Sequence, residues 1–390
     1  MVCFKELAQE VKEEVIAWRR DFHRHPEVSM KEFRTAERVE EELRKMGLEI
    51  RRHGDTAVIG ILEGAKPGKT VALRADMDAL SLTEENDVPY ASETKGLMHA
   101  CGHDAHTAAL LGVAKILNKV KDQLPGKVKF FFQPGEEVAL GAKLIVDAGE
   151  MDDVDAILGI HVWADLPAGQ VSVEPGPRMA FCDMLKINIT GKGGHAAQPQ
   201  RTVDAVVAAA ATVMNLQSIV SREVSPLDSL VVTIGKMDVG TRWNIIAGRG
   251  ILEGTVRGFC PELQAKAPEI IERIIKGTAA AYRAEAELEY AKLTPVTIND
   301  PQLTEKAADI IRRLYGEESL ASIPKQTGSE DFAFYCEKAP GVFVFMGAGN
   351  EENACYPHHH PKFDIDEGVL DRCVALYAQF AWDFLTGEGK

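Results

Sequence analysis

The sequence predicts an α/β protein with a mostly parallel central sheet, into which a ferredoxin-like βαββαβ domain is inserted. Three observations support this. Short apolar runs alternate with helical patterns in the first part of the chain. A break rich in proline and glycine at 174–177 introduces a segment with its own order of strands and helices, and the first pattern resumes after Pro295. We therefore expect a discontinuous large domain over 1–178 and 295–390, and an inserted domain over 179–294.

The large domain has apolar runs of the length expected for buried strands at 57–62, 71–75, 128–132, 157–162 and 342–346. Helical spacing of apolar residues is found at 1–20, 105–117, 142–148, 303–315 and 366–384. Residues with reactive side chains repeatedly follow the ends of these strands. Because sites in open α/β sheets collect at the carboxyl ends of strands, we expect the functional site there.

The inserted domain shows strand, helix, strand, strand, helix, strand in that order, at 184–190, 202–222, 229–236, 250–257, 261–283 and 286–291. Two βαβ-like halves of this kind are typical of the ferredoxin-like fold.

Composition excludes some classes of function. Lys and Arg number 44 against 59 Asp and Glu, so the net charge is −15, and nucleic acid is not an expected partner. The N-terminus has no apolar core of an export signal, and no uncharged run approaches the ~20 residues of a membrane helix. Seven scattered cysteines do not form a disulfide pattern. We expect a protein of the cytoplasm, without a membrane partner.

A thiol and several imidazoles are concentrated at 98–106, where Cys101, His103 and His106 lie within six positions. A single cysteine or histidine more often has a structural role, but the cluster predicts a transition-metal site. A four-ligand structural zinc site is disfavoured, since no second pair of ligands follows at the usual spacing.

The acids Glu136 and Glu137 come just after an apolar strand. One can bind a metal while the other takes a proton from water, whose pKa a metal lowers to about 7. His161 lies within an apolar strand, and His358–His360 precede a turn. Asp76, at another strand end, is expected to orient an imidazole.

Four motifs in order resemble the dinuclear metal-dependent amidohydrolases, which include N-acyl-amino-acid amidohydrolases, hippurate hydrolases, indoleacetyl-amino-acid hydrolases and related carboxypeptidases. They are MHACGHD at 98–104, QPGEE at 133–137, GKGGHAA at 191–197 and HHPKFD at 359–364. The resemblance covers nearly the whole chain. It implies a zinc-exopeptidase-like catalytic domain formed by the large domain.

The resemblance also implies the metal ligands of two divalent ions, most often Zn, with Mn, Co or Ni as alternatives. Cys101 would bridge the ions, His103 and His161 would complete one site, and Glu137 and His359 the other. Glu136 would be the general base. Related peptidases carry a His-x-Asp motif where this chain has Arg74 and Asp76, so His103 is expected to replace the lost histidine.

The inserted domain resembles the lid and dimerisation domain of the family, which implies a homodimer. His195 would stabilise the oxyanion in the partner subunit's site, and such a donor is typically worth roughly 3–4 kcal/mol. Asn244 and Arg257 resemble residues that hold the substrate carboxylate, a task that suits the fork of an arginine. The segment 328–332 resembles a loop on the substrate side.

The predicted function is hydrolysis of the amide bond of N-acyl-amino acids by metal-activated water. A carboxypeptidase or dipeptidase acting on short peptides is the alternative, as is a deacetylase of the N-acetyl-diaminopimelate or lysine type. All three use the same metals and the same carboxylate clamp. A catalytically inert metal-binding protein is the alternative that is not an enzyme, but loss of Glu136 or of a ligand would be expected for it.

Overall fold

A computed structural model describes residues 2–352 and 354–387. Its elements in chain order are α1 Phe4–Arg24, α2 Phe33–Lys45, β1 Glu49–His53, β2 Ala57–Glu63, β3 Lys66–Asp76, α3 His103–Lys119, β4 Pro125–Gln133, α4 Gly141–Asp147, β5 Ala156–Pro167, β6 Val171–Ser172, β7 Gly176–Met179, β8 Phe181–Thr190, β9 Gly194–His195, α5 Ala205–Ser218, β10 Leu230–Val239, β11 Ile245–Ile246, β12 Arg249–Gly258, α6 Pro261–Ala281, β13 Glu285–Thr294, β14 Thr297–Asn299, α7 Pro301–Tyr315, α8 Ala333–Cys336, β15 Gly341–Gly349 and α9 Leu370–Thr386.

These elements form two compact units. The large unit comprises Met1–Gly176, Ile298–Pro324 and Asp331–Lys390, and the small unit comprises Pro177–Thr297 and Lys325–Glu330.

The large unit is built on a seven-stranded sheet with the order β1-β2-β4-β3-β5-β15-β6. Strands β4, β3, β5 and β15 are parallel, and β1, β2 and β6 add antiparallel edges, so the sheet is mostly parallel, as predicted. Helices α3 and α9 pack on the sheet, and helix α1 packs on these two helices. The central strands are continuous apolar runs in the sequence because their side chains are buried on both faces of the sheet.

The small unit has the predicted βαββαβ order, formed by β8, α5, β10, β12, α6 and β13. Its antiparallel sheet has the order β10-β12-β8-β13, and both helices contribute to a separate hydrophobic core. A short pair, β9 with β11, was not predicted.

Two predicted helix starts were wrong by several residues, and local hydrogen bonding explains both. Helix α5 begins at Ala205 rather than 202, because the Asp204 side chain caps it by accepting from the Val206 amide at 2.9 Å. Helix α9 begins at Leu370 rather than 366, because a 3₁₀ turn over Glu367–Val369 comes first and Asp366 caps that turn.

The stretch Ala205–Glu223 is long and apolar enough to cross a membrane by length and composition alone. Within the small unit, Ala205, Ala208 and Ala209 are buried where α5 meets the sheet and α6. In the apolar window of this stretch 33% is buried, so packing in the small unit accounts for part of its apolar character.

All seven cysteines lie in the described part of the chain, and all are free thiols. This agrees with the expectation that cysteine spacing does not encode disulfides here.

Candidate metal centre

The carboxyl ends of the parallel strands bring the reactive side chains of the large unit together. Strand β3 ends at Asp76, which pairs in register with Gln133 at the end of β4, and β5 carries His161. Since β3 lies between β4 and β5, the loops that follow these strands meet at one edge of the sheet.

Two groups of potential ligands share Cys101. One contains Cys101, His103 and His161, and the other contains Cys101, Glu137 and His359; within each group the ligand atoms lie within 4.8 Å of one another. The Cys101 Sγ is 3.6 Å from His161 Nε2, and His359 Nε2 is 3.2 Å from Glu137 Oε1. The two groups consist of the five residues that the family resemblance implied as ligands.

Hydrogen bonds fix which ring nitrogen each candidate histidine presents. His161 Nδ1 donates to the Val162 carbonyl at 2.6 Å, and His103 Nδ1 donates to the Asp78 carbonyl at 2.9 Å. Each Nε2 lone pair is therefore directed toward Cys101. Among the described residues, the buried His103 Nε2 has no hydrogen-bond partner, as expected for an atom that binds a metal.

The raised pKa values of His103 and His359 show that the acids and the thiol beside them favour positive charge at these two side chains. Hydrogen bonds to Cys101 and Glu137 raise the pKa of His359 to about 10. Burial opposes protonation of His103, but Asp76 and Cys101 outweigh it and raise its pKa well above the ordinary value. Burial, helped by Glu137, raises the pKa of the Cys101 thiol. A proton and a metal ion compete for such positions, so the residues present fit divalent cations.

His359 is the residue of the triplet that belongs to a group of potential ligand atoms. Its φ of +64° is a left-handed conformation that turns the side chain toward Glu137, and its amide donates to the Ala100 carbonyl at 2.8 Å. His358 Nε2 instead accepts from the Ala164 amide at 3.2 Å, and the His360 ring stacks on Tyr356.

His106 is fully engaged elsewhere. Its Nδ1 donates to Asp76 Oδ1 at 2.6 Å, and its Nε2 accepts from the Val162 amide at 2.9 Å. It therefore has no free lone pair for a metal and holds Asp76 against β5.

Asp76 orients an imidazole as expected, but the partner is His106. Its other oxygen accepts from the buried Arg74 at 2.6 Å and lies 3.7 Å from His103 Nε2. Arg74, which occupies the position of the family's lost histidine, also binds Gln133 and Asp331.

Asp78 has a structural role in the site that the sequence reasoning did not assign to it. Its Oδ1 accepts from the Glu136 amide and its Oδ2 from the Glu137 amide, both at 3.1 Å, and Oδ1 lies 3.2 Å from His103 Nδ1. One buried carboxylate thus holds both the acid pair and a candidate ligand. Its position two residues after Asp76 at the strand end was the available signal.

The acids lie on a 3₁₀ turn, Glu136–Val138, between two left-handed residues, Gly135 and Ala139. Glycine is favoured at position 135, because the φ of +59° there lies in the left-handed region that other residues rarely adopt. Potential ligand atoms of Glu136 and Glu137 lie within 4.8 Å of each other and of His103, so Glu136 can reach a water molecule at the site.

Three residues of the small unit were predicted to contact the substrate. His195 and Arg257 lie on strands, and Asn244 lies in the turn before β11. His195 is exposed on β9 and pairs with Ile245, next to Asn244, whose buried Oδ1 has no hydrogen-bond partner among the described residues. Arg257 lies on β12 and donates to the Thr327 carbonyl at 3.2 Å. Their roles toward a substrate stay predictions.

A model of peptidase family M20/M25/M40 matches residues 72–383 of this chain. The chain belongs to this family. N-acetylcysteine deacetylase of Bacillus subtilis is 41% identical over 94% of this chain and 96% of its own length. Thermostable carboxypeptidase 2 of Saccharolobus solfataricus is 38% identical over 97% and 98%.

A third relative, N-acyl-L-amino acid amidohydrolase of Geobacillus stearothermophilus, is 46% identical over 73% of this chain and 78% of its own length. The crystal structure of the Bacillus subtilis YXEP protein, a dinuclear metal-binding peptidase from the M20 family, superposes with a TM-score of 0.86. It is 37% identical over 97% of this chain and 99% of that one. The M20 member described here is thus a metal-dependent hydrolase of amide or peptide bonds, which confirms the predicted enzyme class.

Proposed function

We propose that this M20 hydrolase cleaves N-acyl-amino acids into a carboxylic acid and a free amino acid. The observation that carries the proposal is the pair of three-residue ligand groups joined at Cys101, with Glu136 beside them. The names of two relatives, a deacetylase of N-acetylcysteine and an N-acyl-L-amino acid amidohydrolase, support this class of substrate.

The proposed ligands are Cys101 for both ions, His103 and His161 for one, and Glu137 and His359 for the other. A thiolate with imidazoles and carboxylates favours Zn among the common divalent ions, with Mn, Co or Ni as alternatives. Ions bound there would polarise the amide carbonyl and lower the pKa of water.

Glu136 is proposed as the general base that takes a proton from the attacking water and delivers it to the leaving amine. Its main-chain amide is held by Asp78, which fixes the turn from which the side chain projects. A positioned base typically contributes about 10²–10⁴-fold to the rate.

The small unit is proposed to act as the lid. His195 would donate to the oxyanion, and Asn244 and Arg257 would hold the α-carboxylate of the substrate. The exposure of the His195 side chain supports a role in which it contacts a ligand.

A homodimer through the small unit is also proposed. Strand β10 is an edge of the small sheet, so its outer main-chain groups are available for pairing. Apolar side chains are exposed on this strand and on the neighbouring helix α5, including Val231 and Met237 on the strand and Val207 and Met214 on the helix. A cytoplasmic location is proposed from the seven free thiols, which suit a reducing compartment.

A carboxypeptidase that trims short peptides is the second candidate, favoured by the 38% identity to thermostable carboxypeptidase 2. A deacetylase of the diaminopimelate or lysine type would also need side chains that bind the second charged group of its substrate.

The test is a panel of N-acetyl-, N-benzoyl- and dipeptide substrates, run on enzyme reconstituted separately with Zn, Mn, Co and Ni. We expect kcat/KM for N-acyl-amino acids to exceed that for dipeptides sharing the same C-terminal residue. Preference for the dipeptides would favour the carboxypeptidase. Absence of hydrolysis with all four metals would favour an inert metal-binding protein.

A further inference from the structure

A pocket of about 520 Å³ in the large unit adjoins the candidate ligands Glu137 and His359. This volume is within the range of roughly 300–1,000 Å³ typical of small-molecule sites. Most of the remaining wall is apolar, formed by Val28, Ala79, Leu80, Leu82 and Val138.

Main-chain hydrogen bonds hold the apolar wall in place. The Ala79 amide donates to the Glu27 carbonyl at 2.8 Å, and Leu80 exchanges two hydrogen bonds with Met98, each at 3.0 Å. The wall therefore continues strand β3 beyond Asp76, between the segment before α2 and the segment that leads to Cys101.

Asp78 connects this wall to the candidate metal centre. The Ser29 hydroxyl, which also lines the pocket, donates to Asp78 Oδ2 at 2.6 Å. The same carboxylate accepts from the amides of Glu136 and Glu137. The pocket and the turn that bears the proposed base are thus one hydrogen-bonded assembly, which fixes the distance between a bound group and the site of reaction.

The residues of the pocket wall favour the acyl portion of the substrate over its amino-acid portion. The nine lining residues include no lysine or arginine, and the two ionisable ones, Glu137 and His359, are proposed metal ligands, so the pocket offers the α-carboxylate no guanidinium or ammonium partner. An uncharged chain or ring would bury its surface against the leucines and valines. We propose that this pocket binds the acyl group, and that the enzyme prefers straight-chain or aromatic acyl groups larger than acetyl. This inference rests on the proposed function.

The expected effect follows from apolar burial. Each methylene that leaves water for the pocket should raise kcat/KM about fourfold, so hexanoyl substrates should exceed acetyl substrates by roughly two orders of magnitude. The measurement is kcat/KM for N-acetyl-, N-butyryl- and N-hexanoyl-methionine with the reconstituted enzyme. A flat series in the wild-type protein would overturn the proposal.

Leu82→Asn and Leu80→Asn test the wall from two positions. Both side chains are partly exposed, and the substitution adds no charge beside Glu137. Each variant should reduce the ratio of hexanoyl to acetyl kcat/KM at least fivefold. Leu227→Asn is the matched control, because Leu227 is 94% exposed in the small unit, and its ratio should equal that of the wild type. An unchanged ratio in folded Leu80 and Leu82 variants would refute the assignment.

The binding of carboxylic acid products tests the pocket assignment without requiring hydrolysis, so the two proposals can fail separately. Calorimetry with the metal-loaded wild-type enzyme should show tighter binding of hexanoate than of acetate. If that preference is found while N-acyl-amino acids are not hydrolysed, the pocket assignment stands and the proposed function fails. If N-acyl-amino acids are hydrolysed but hexanoate binds no tighter than acetate, the pocket assignment fails alone.

Discussion

Arg19 is a buried cation that ties together three segments next to the candidate metal centre. Its Nε donates to Asp104 Oδ2 at 2.8 Å, its Nη2 to Asp364 Oδ1 at 2.7 Å and its Nη1 to Glu367 Oε1 at 3.2 Å. Asp104 directly follows His103 in α3, and Asp364 comes five residues after His359. We therefore expect Arg19 to support both ligand-bearing segments.

Replacing Arg19 by Met should destabilise the protein by about 3–5 kcal/mol. The Arg19 side chain is 0% exposed, so its removal leaves the carboxylates of Asp104 and Asp364 buried without their cation. Arg20→Met is the matched control, because Arg20 also binds Glu367 but has a side chain that is 43% exposed. Its loss should cost no more than about 1 kcal/mol.

The assay is urea unfolding followed by tryptophan fluorescence, since Trp18 and Trp382 are buried in the large unit. Burial opposes ionisation of Asp104, but the charges of Arg19 and His23 outweigh it and hold its pKa well below the ordinary value. The stabilisation is therefore complete above the ordinary aspartate pKa of about 3.9 and is lost as the pH falls below it. Equal losses in the Arg19 and Arg20 variants, or a difference between them that does not shrink in acid, would refute the reasoning.

Four further predictions address the site and the assembly. Glu136→Ala should keep its metal by elemental analysis while kcat falls about 10²–10⁴-fold or more; near-native turnover would exclude Glu136 as the base. Cys101→Ala should bind less metal per chain than the wild type, and an unchanged content would contradict a bridging role. Burial, then Asp78, raises the pKa of Glu32 to about 7, so stability should fall by roughly 3 kcal/mol as the pH rises from 4.5 to 7, and Glu32→Gln should abolish that slope in urea titrations. Mixed Glu136→Ala and His195→Ala subunits should recover part of the activity if the histidine acts in the partner's site; no recovery after proven subunit exchange would refute that.

Much of the fold was predictable because buried strands and amphipathic helices leave strong local patterns. The run at 157–162 lies within β5, and the periodic segment at 261–283 nearly coincides with α6. The errors at the starts of α5 and α9 arose because the capping side chains Asp204 and Asp366 place the first turn of each helix later than the apolar pattern predicted.

The sequence predicted the type of site and several of its residues, but not all the hydrogen bonds that orient them. Ligand-type residues in dense motifs pointed to Cys101, His103 and Glu137, and the structure brings them together. The oxygens that orient His103 belong to Asp78 rather than to Asp76. Both acids lie at the end of β3, and only the path of the chain decides which imidazole each one meets.

Residue types and their periodicity are properties of short stretches, so the chain alone indicates an α/β sheet, a metal-binding motif and an acid beside it. The free nitrogen of each histidine and the apolar pocket depend on partners far away in the sequence. His103 is fixed by a residue 25 positions earlier, and His106 by one 30 positions earlier. Strand order and register create those contacts, because parallel strands place the loops after β3, β4 and β5 at one edge. The pocket wall depends on the same order, which no local pattern contains.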